Sequence, residues 1–139
     1  MPNDGLDLEG LRTLRAEAFA PMVQQLEIDP ITITEDGALF KVPATGHILR
    51  TGDIVCGQAL AAVADTVGVM ALFAHNKEAR IMTTVDMTTH FMRPLTAGSL
   101  DAQAFILSNG RRMANVRIEI RQTGSEKIAA TTTCAYVYV

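Results

Sequence analysis

Asp65 is the residue whose type and surroundings most strongly indicate chemistry. It is the only carboxylate between Ile54 and Ala74, and it lies in the run Leu-Ala-Ala-Val-Ala-Asp-Thr-Val-Gly-Val (60–69). An unpaired carboxylate buried among such residues costs several kcal/mol. Asp65 is therefore either paired with a backbone amide or a threonine for structural reasons or kept for function, and the residue types alone leave both open.

Gly57 is the second candidate, at the start of the same apolar segment. A glycine at a helix start leaves the first-turn amides unscreened, so that they can bind an anion or a developing oxyanion. The alternative is that Gly57 only permits a tight junction between loop and helix. Eight residues separate Gly57 from Asp65, which is about 12 Å along a helix axis. If both act on one carbonyl, Gly57 of one subunit must meet Asp65 of another, which requires an oligomer.

Other residues give weaker signals. Thr83 and Thr84 could position a water molecule, although threonines are common in strands for their β-propensity. Three arginines occur at a strand end and in a turn, where they could bind phosphates or simply be solvated: Arg93, Arg111 and Arg112. Cys56 precedes the candidate oxyanion amide, but no histidine stands near it in sequence to act as its base, which argues against a nucleophilic thiol.

Composition excludes several classes of protein. The 139 residues suit one domain, and 48% of them are apolar. A net charge of −3 without a basic run argues against a nucleic-acid partner. Cys56 and Cys134 lie far apart, and the start of the chain, MPNDGLDLEG, lacks the apolar core of a signal peptide. We therefore predict a reduced, cytoplasmic protein.

The segment 54–74 is long enough to span a bilayer, but Gln58 and Asp65 interrupt it and no basic flank follows. It is better interpreted as a helix buried in protein, so no membrane partner is predicted. The three histidines lack the spacing of metal ligands, so no metal site is predicted.

Periodicity predicts an amphipathic helix, two strands, a buried helix and four strands. The predicted ranges are a helix over 7–26, strands over 31–34 and 38–42 around the turn Glu35-Asp36-Gly37, a loop over 43–53, a helix over 55–75, and strands over 80–92, 100–107, 113–122 and 127–139. In the strand 80–92, alternation places Ile81, Val85, Met87 and Phe91 on one side and Thr84, Asp86, Thr88 and His90 on the other.

Four consecutive strands without helical crossovers predict an antiparallel sheet and an α+β fold class. A helix that is apolar all round must be covered on every side, and a curved sheet covers only part of it. The N-terminal helix or another subunit should cover the rest. We predict one domain overall, with an N-terminal helix in 1–27 and the sheet with its central helix in 28–139.

Three motifs carry a resemblance to a known family. They are Gly-Gln-Ala-Leu-Ala-Ala-Val-Ala-Asp-Thr (57–66), Thr-Val-Asp-Met-Thr-Thr-His-Phe-Met-Arg-Pro (84–94) and Gly-Arg-Arg (110–112), the last followed by an alternating strand. From about Ile31 to the C-terminus the chain resembles the hotdog-fold thioesterases of the phenylacetate-pathway (PaaI-like) and acyl-CoA thioesterase 13-like group. The resemblance implies a hotdog fold, with a long antiparallel sheet wrapped around a central helix.

The resemblance also implies a function, the hydrolysis of an acyl-CoA thioester by a homodimer or a dimer of dimers. By this likeness Gly57 supplies the oxyanion amide, Asp65 of the neighbouring subunit is the general base or nucleophile, and Thr84 helps to hold the attacking water. Coenzyme A is part of the substrate, and no other cofactor is implied. The implied substrate-binding residues are Arg50, Cys56, Gln58, Thr83, Arg93, Asn109, Gly110, Arg111 and Arg112.

Two positions depart from the family pattern. The usual His-Gly-Gly is here Cys56-Gly57-Gln58, and Arg50 stands where an asparagine is often found. These departures support an alternative, a non-catalytic protein that binds or senses acyl-CoA. A hotdog dehydratase or hydratase is disfavoured, because it needs a histidine at the helix start paired with an acid.

Overall fold

The computed structural model describes residues 5–139, so that residues 1–4 of the predicted N-terminal segment 1–27 lie outside the described range. The helices are α1 (Leu8–Ala18), α2 (Pro21–Gln24) and α3 (Gly57–His75), with a 3₁₀ turn at Gly46–Ile48. The strands are β1 (Asp29–Thr34), β2 (Gly37–Ala44), β3 (Leu49–Arg50), β4 (Ile54–Val55), β5 (Met82–Phe91), β6 (Gly98–Asn109), β7 (Met113–Gln122) and β8 (Ala130–Tyr138).

Six strands form one antiparallel sheet in the order β1-β2-β6-β7-β8-β5, and β3 pairs with β4 separately. Helix α3 packs against β2, β5, β6, β7 and β8. The predicted α+β architecture, a long antiparallel sheet with a central helix, is therefore confirmed. By length and composition α3 could cross a bilayer, but 61% of its most apolar window is buried inside the domain, as in the core helix of a globular protein.

The N-terminal helix is not continuous, so the prediction of one helix over 7–26 was wrong. Asp7 caps α1 by accepting the Gly10 N–H at 2.8 Å, and the helix ends at Ala18. The cause of the break is Pro21, which starts α2 and requires an extended Ala20 before it, with ψ of 150°. Leu11 is the fully buried residue of α1.

The segment before α1 is tied to the end of α3. The amides of Gly5 and Leu6 donate to the carbonyls of Ala74 and Phe73, at 3.2 and 3.0 Å. These bonds satisfy carbonyls that a helix C-terminus would otherwise leave without a partner. A Cβ on Gly5 would lie 2.2 Å from the Phe73 carbonyl oxygen, so this close approach requires glycine.

The predicted β1–β2 hairpin is confirmed, but Gly37 is required by the neighbouring strand rather than by the turn. Thr34 pairs with Gly37, which leaves Glu35 and Asp36 as the two turn residues. A Cβ on Gly37 would lie 1.7 Å from the Ala104 carbonyl oxygen of β6. Gly37 is therefore needed for the close approach of β2 to β6.

The predicted alternation along β5 was wrong at Thr84, because β5 contains a bulge. The pairing with β8 shifts between Thr84 and Asp86, so that Val85 is the extra residue. Thr84 pairs with buried Tyr136 and Met87 with buried Cys134. The bulge therefore places Thr84 on the helix-facing side together with Met87, whereas strict alternation had put it on the other side.

Candidate active site

Asp65 lies on the one face of α3 that the chain leaves partly open. Most residues of α3 are buried, whereas Gln58 is exposed and Asp65, Val69 and Phe73 are half-buried. The spacings of seven, four and four residues put these side chains on one side of the helix. We call this row, Gln58, Asp65, Val69 and Phe73, the open face of α3.

The Asp65 carboxylate is held by one threonine. Thr84 Oγ1 donates to Asp65 Oδ1 at 2.6 Å, a length typical of a charge-assisted hydrogen bond. Within residues 5–139 the Tyr136 hydroxyl is the other side-chain group that interacts with this carboxylate, and it donates chiefly to the Asp65 backbone carbonyl. Oδ2 therefore retains capacity to accept from a water molecule or a substrate. Because Thr84 donates its proton to Asp65, its own oxygen still has lone pairs to accept a bond from water.

Tyr136 fixes the backbone at Asp65 from the closed side of α3. Its hydroxyl donates to the Asp65 carbonyl at 2.9 Å, and its side chain is fully buried. Burial, together with the neighbouring Cys134, raises the pKa of Tyr136 well above its usual range, so that it remains a protonated donor. A Cβ on Gly68 would lie 2.1 Å from this hydroxyl, which explains why the helix carries glycine there.

The start of α3 opens into a cavity. Cys56 is the N-cap residue, its side chain makes no capping bond, and its own N–H donates to Ile48. Within residues 5–139 the Gly57 N–H donates no hydrogen bond. Gly57 lines a cavity of about 360 Å³ together with Phe91 and the segment that follows β5. The amide is therefore available to a bound oxyanion.

Two predicted arginines, Arg50 and Arg93, line the same cavity. Arg50 Nη1 donates to the Thr51 carbonyl at 3.0 Å, which leaves its other donors available. Two guanidinium groups and a helix N-terminus give this cavity a positive potential, which suits an anionic or developing negative group. Asp65 does not line it, in agreement with the separation of about 12 Å along α3.

Four of the predicted binding residues, Asn109, Gly110, Arg111 and Arg112, lie at the opposite end of α3. Asn109 Nδ2 donates to Asn76 Oδ1 at 2.8 Å, and Asn76 caps the C-terminus of α3. The β6–β7 turn, Gly110 with exposed Arg111 and Arg112, follows directly. Because α3 has 19 residues, this turn is separated from Gly57 by about 28 Å along the helix axis.

Sequence reasoning missed the residues that shape this turn. Arg80 donates to the carbonyls of Gly110 and Arg111 and lies over the Tyr138 ring, 3.4 Å from its centroid. The Tyr138 hydroxyl donates to Asn109 Oδ1 at 2.6 Å. No motif marks these residues, since each contact joins segments distant in sequence.

Two predicted residues lie apart from the Asp65–Thr84 pair and the cavity. Thr83 is exposed, next to Thr84 in β5 but facing away from the helix. Gln58 is exposed on the open face of α3, about two helical turns before Asp65. Cys134 is fully buried, and burial raises the pKa of its thiol to about 11, so that it stays protonated at neutral pH.

The comparisons with known proteins agree with this architecture. The sequence model of the thioesterase superfamily matches residues 52–129, more than half of the chain. A protein of Thermoplasma acidophilum described as a candidate esterase is 24% identical over 135 residues, covering 97% of this chain and 98% of that protein.

Solved structures extend the likeness to the whole fold. A thioesterase from Haemophilus influenzae superposes with a TM-score of 0.88 at 21% identity, covering 100% of this chain and 95% of that one. A candidate thioesterase from Ralstonia eutropha, described as related to phenylacetic acid degradation, has a TM-score of 0.78 at 30% identity over 91% of this chain and 96% of that one. The chain belongs to the thioesterase superfamily and has the hotdog fold.

Proposed function

We propose that this protein hydrolyses an acyl-CoA thioester to the free acid and coenzyme A. The observation that carries the proposal is the half-buried Asp65 carboxylate, oriented by Thr84 at 2.6 Å on the open face of an otherwise apolar helix. A carboxylate held in this way, with one oxygen free, is suited to take a proton from water.

The chemistry follows from the positions of these groups. Asp65 Oδ2 accepts a proton from a water molecule that also donates to Thr84 Oγ1, and the water oxygen attacks the thioester carbonyl. The carbonyl oxygen becomes an oxyanion and accepts the Gly57 N–H. The carbon–sulfur bond then breaks, the proton held by Asp65 passes to the departing thiolate, and acid and thiol are released.

Gly57 and Asp65 must come from different subunits, because about 12 Å of helix separates them. Strand β5 is an edge strand with one unpaired side, and it exposes 53% of Val85, 38% of Met87 and 56% of Phe91. A long apolar edge of this kind favours pairing with a second chain. We therefore propose a homodimer in which two β5 edges pair about a two-fold axis.

Such a dimer also accounts for the two separated groups of predicted binding residues. Antiparallel pairing places the start of one β5 beside the end of the other. The start, at Met82, lies beside Tyr138 and the β6–β7 turn, and the end, at Phe91, lines the Gly57 cavity. Arg111 and Arg112 of one subunit thereby approach the cavity of the other, where they can bind the phosphates of coenzyme A.

The experiment that tests this function is the substitution Asp65→Asn, with Asp86→Asn as its matched control. Asparagine keeps the size of Asp65 and still accepts from Thr84, but it cannot take a proton from water. We expect kcat to fall about 10²- to 10⁴-fold, on the order of 3 to 5 kcal/mol in the barrier. Asp86, an exposed carboxylate on the same strand as Thr84, should tolerate the change with little effect.

Turnover should be followed by loss of the thioester absorbance over a panel of aliphatic and aryl acyl-CoAs, which avoids reagents that would react with the half-buried Cys56. Asp65→Asn should retain the wild-type melting temperature and acyl-CoA affinity. A variant that is less stable, yet equally active per folded molecule, would show that Asp65 is structural.

A second candidate is a non-catalytic acyl-CoA-binding protein. The observation that favours it is Cys56 at the N-cap, whose thiol makes no capping hydrogen bond at the position where the family usually has histidine. The same panel separates the two functions. Micromolar binding of acyl-CoA without turnover of any thioester would support the binding protein.

A further inference from the structure

A second cavity of about 360 Å³ lies between α1 and the last turn of α3, away from Gly57. Its walls include Leu6, Leu14 of α1 and Phe73 of α3, with Lys77 and Ala79 after the helix. The three large apolar side chains are half-buried. They face the cavity, and no other part of the described chain fills the space between them.

Of the two polar wall residues, Lys77 is exposed and Asn76 has its side-chain amide engaged in two hydrogen bonds. Its Nδ2 donates to the Tyr138 hydroxyl at 3.1 Å and its Oδ1 accepts from Asn109 at 2.8 Å. The Leu6 N–H is likewise bonded, to the Phe73 carbonyl. A polar ligand would find few partners on these walls, whereas an apolar one would be transferred from water to a carbon-lined space.

The cavity adjoins the open face of α3 at Phe73. Asp65, Val69 and Phe73 follow at intervals of four residues and are all half-buried, and Phe73 itself lines the cavity. The distance along the helix from Asp65 to Phe73 is about 12 Å. An apolar track therefore runs from the reactive carboxylate to the second cavity.

We propose that this cavity receives the distal end of the substrate's acyl chain, so that the preferred substrates are medium- and long-chain acyl thioesters. The inference rests on the proposed function, which places the thioester carbonyl beside Asp65. An extended hydrocarbon chain advances about 1.25 Å per carbon–carbon bond, so that about ten carbons are needed to span 12 Å. Shorter acyl groups end on the open face before they reach Leu14.

The test combines hydrolysis with binding. We would measure kcat/KM for butanoyl-, octanoyl-, dodecanoyl- and hexadecanoyl-CoA, and calorimetric Kd for S-butyl- and S-dodecyl-coenzyme A, thioethers that cannot be hydrolysed. Leu14→Trp fills the cavity, Leu14→Ala enlarges it, and Thr13→Trp puts the same bulk on the adjacent exposed position of α1. Thermal melts would establish that each variant is folded.

In the wild type we expect the S-dodecyl thioether to bind more tightly than the S-butyl one, and dodecanoyl-CoA to be preferred over butanoyl-CoA. Each buried methylene contributes about fourfold, so that denying the chain even two or three of them in Leu14→Trp should lower both ratios at least about tenfold. Thr13→Trp should keep the wild-type ratios, and Leu14→Ala should move the optimum to longer chains.

Different results would overturn the acyl cavity and the proposed function. Efficient hydrolysis of butanoyl-CoA with no gain from longer chains, or unchanged ratios in folded Leu14→Trp, would reject the acyl cavity and leave the hydrolase intact. Absence of hydrolysis for every substrate would reject the proposed function, whereas affinity for the thioethers that rises with chain length and falls in Leu14→Trp would still support the cavity.

Discussion

The two faces of α3 differ both in their residues and in how far they are covered. Val63, Val67 and Met70 on the sheet side are fully buried, whereas Asp65 and Val69 on the open face are only half-buried. The closed face therefore sets stability, and the open face is available for chemistry and for a second subunit. Substitutions on the two faces should accordingly change different measured quantities.

After Asp65→Asn, the largest effect should come from Gly57→Pro at the start of α3. Proline is well tolerated at the first helical position, and Cys56 before it already has the extended conformation that proline requires, with φ −68° and ψ 146°. The substitution replaces the hydrogen of the N–H by a ring carbon and keeps the helical backbone conformation. Loss of one oxyanion donor should lower kcat about 10²- to 10³-fold.

Gly57→Ala is the matched control, because it keeps the N–H. Its Cβ would meet the Phe91 ring at 3.5 Å, an ordinary contact, so that we expect normal folding and only a small change in kcat. Equal activity of the proline and alanine variants in steady-state kinetics would mean that the Gly57 amide does not bind the oxyanion.

On the closed face, Gly68→Ala should lower stability without a matching loss of activity per folded molecule. The new Cβ would lie 2.1 Å from the hydroxyl of fully buried Tyr136, and such overpacking costs about 1 to 3 kcal/mol in the free energy of unfolding. Adding Tyr136→Phe removes the clashing hydroxyl. In denaturant titrations the double variant should be more stable than Gly68→Ala alone. If the two substitutions instead lower the free energy of unfolding additively, the contact is not the cause.

The smallest effect concerns the buried thiol behind the closed face. Burial raises the pKa of Cys134 from 9.0 to about 11, so the unfolded chain loses this proton at a lower pH than the folded one. The stability contributed by the neutral thiol is complete below pH 9, so nothing changes at neutral pH, and it falls by about 2 to 3 kcal/mol as the pH rises to about 11 and above. Free energies of unfolding measured against pH should begin to fall near pH 9 in the wild type and only near pH 10 in Cys134→Ala, where the raised pKa of buried Tyr136 still acts.

Much of the fold could be predicted from local pattern. The long, mostly apolar segment after Gly57 predicted α3, and consecutive alternating segments predicted the antiparallel strands. The pairing of β2 with β6 could not be predicted, since periodicity does not specify which distant strands pair. Pro21 marks the break between α1 and α2 in the sequence, but the apolar spacing continues across it and by itself predicts one helix.

The candidate site was predictable only in part. Asp65 stood out because a carboxylate in an apolar helix is costly. Its contact with Thr84 depends on the bulge at Val85, which moves Thr84 to the helix side, and a bulge leaves no signal in alternation alone. The acyl cavity was not foreseen either, since Leu6, Leu14 and Phe73 are far apart in sequence and look like ordinary core residues.

The central claim is that each active site joins Gly57 of one subunit to Asp65 of the other, and subunit mixing tests it most directly. Asp65→Asn and Gly57→Pro would be mixed in equal amounts, with exchange verified by native mass spectrometry. Random pairing makes half of the dimers mixed, and each mixed dimer holds one site with both groups intact. The account predicts recovery to about a quarter of the wild-type activity per subunit. No recovery despite demonstrated exchange would contradict the shared site.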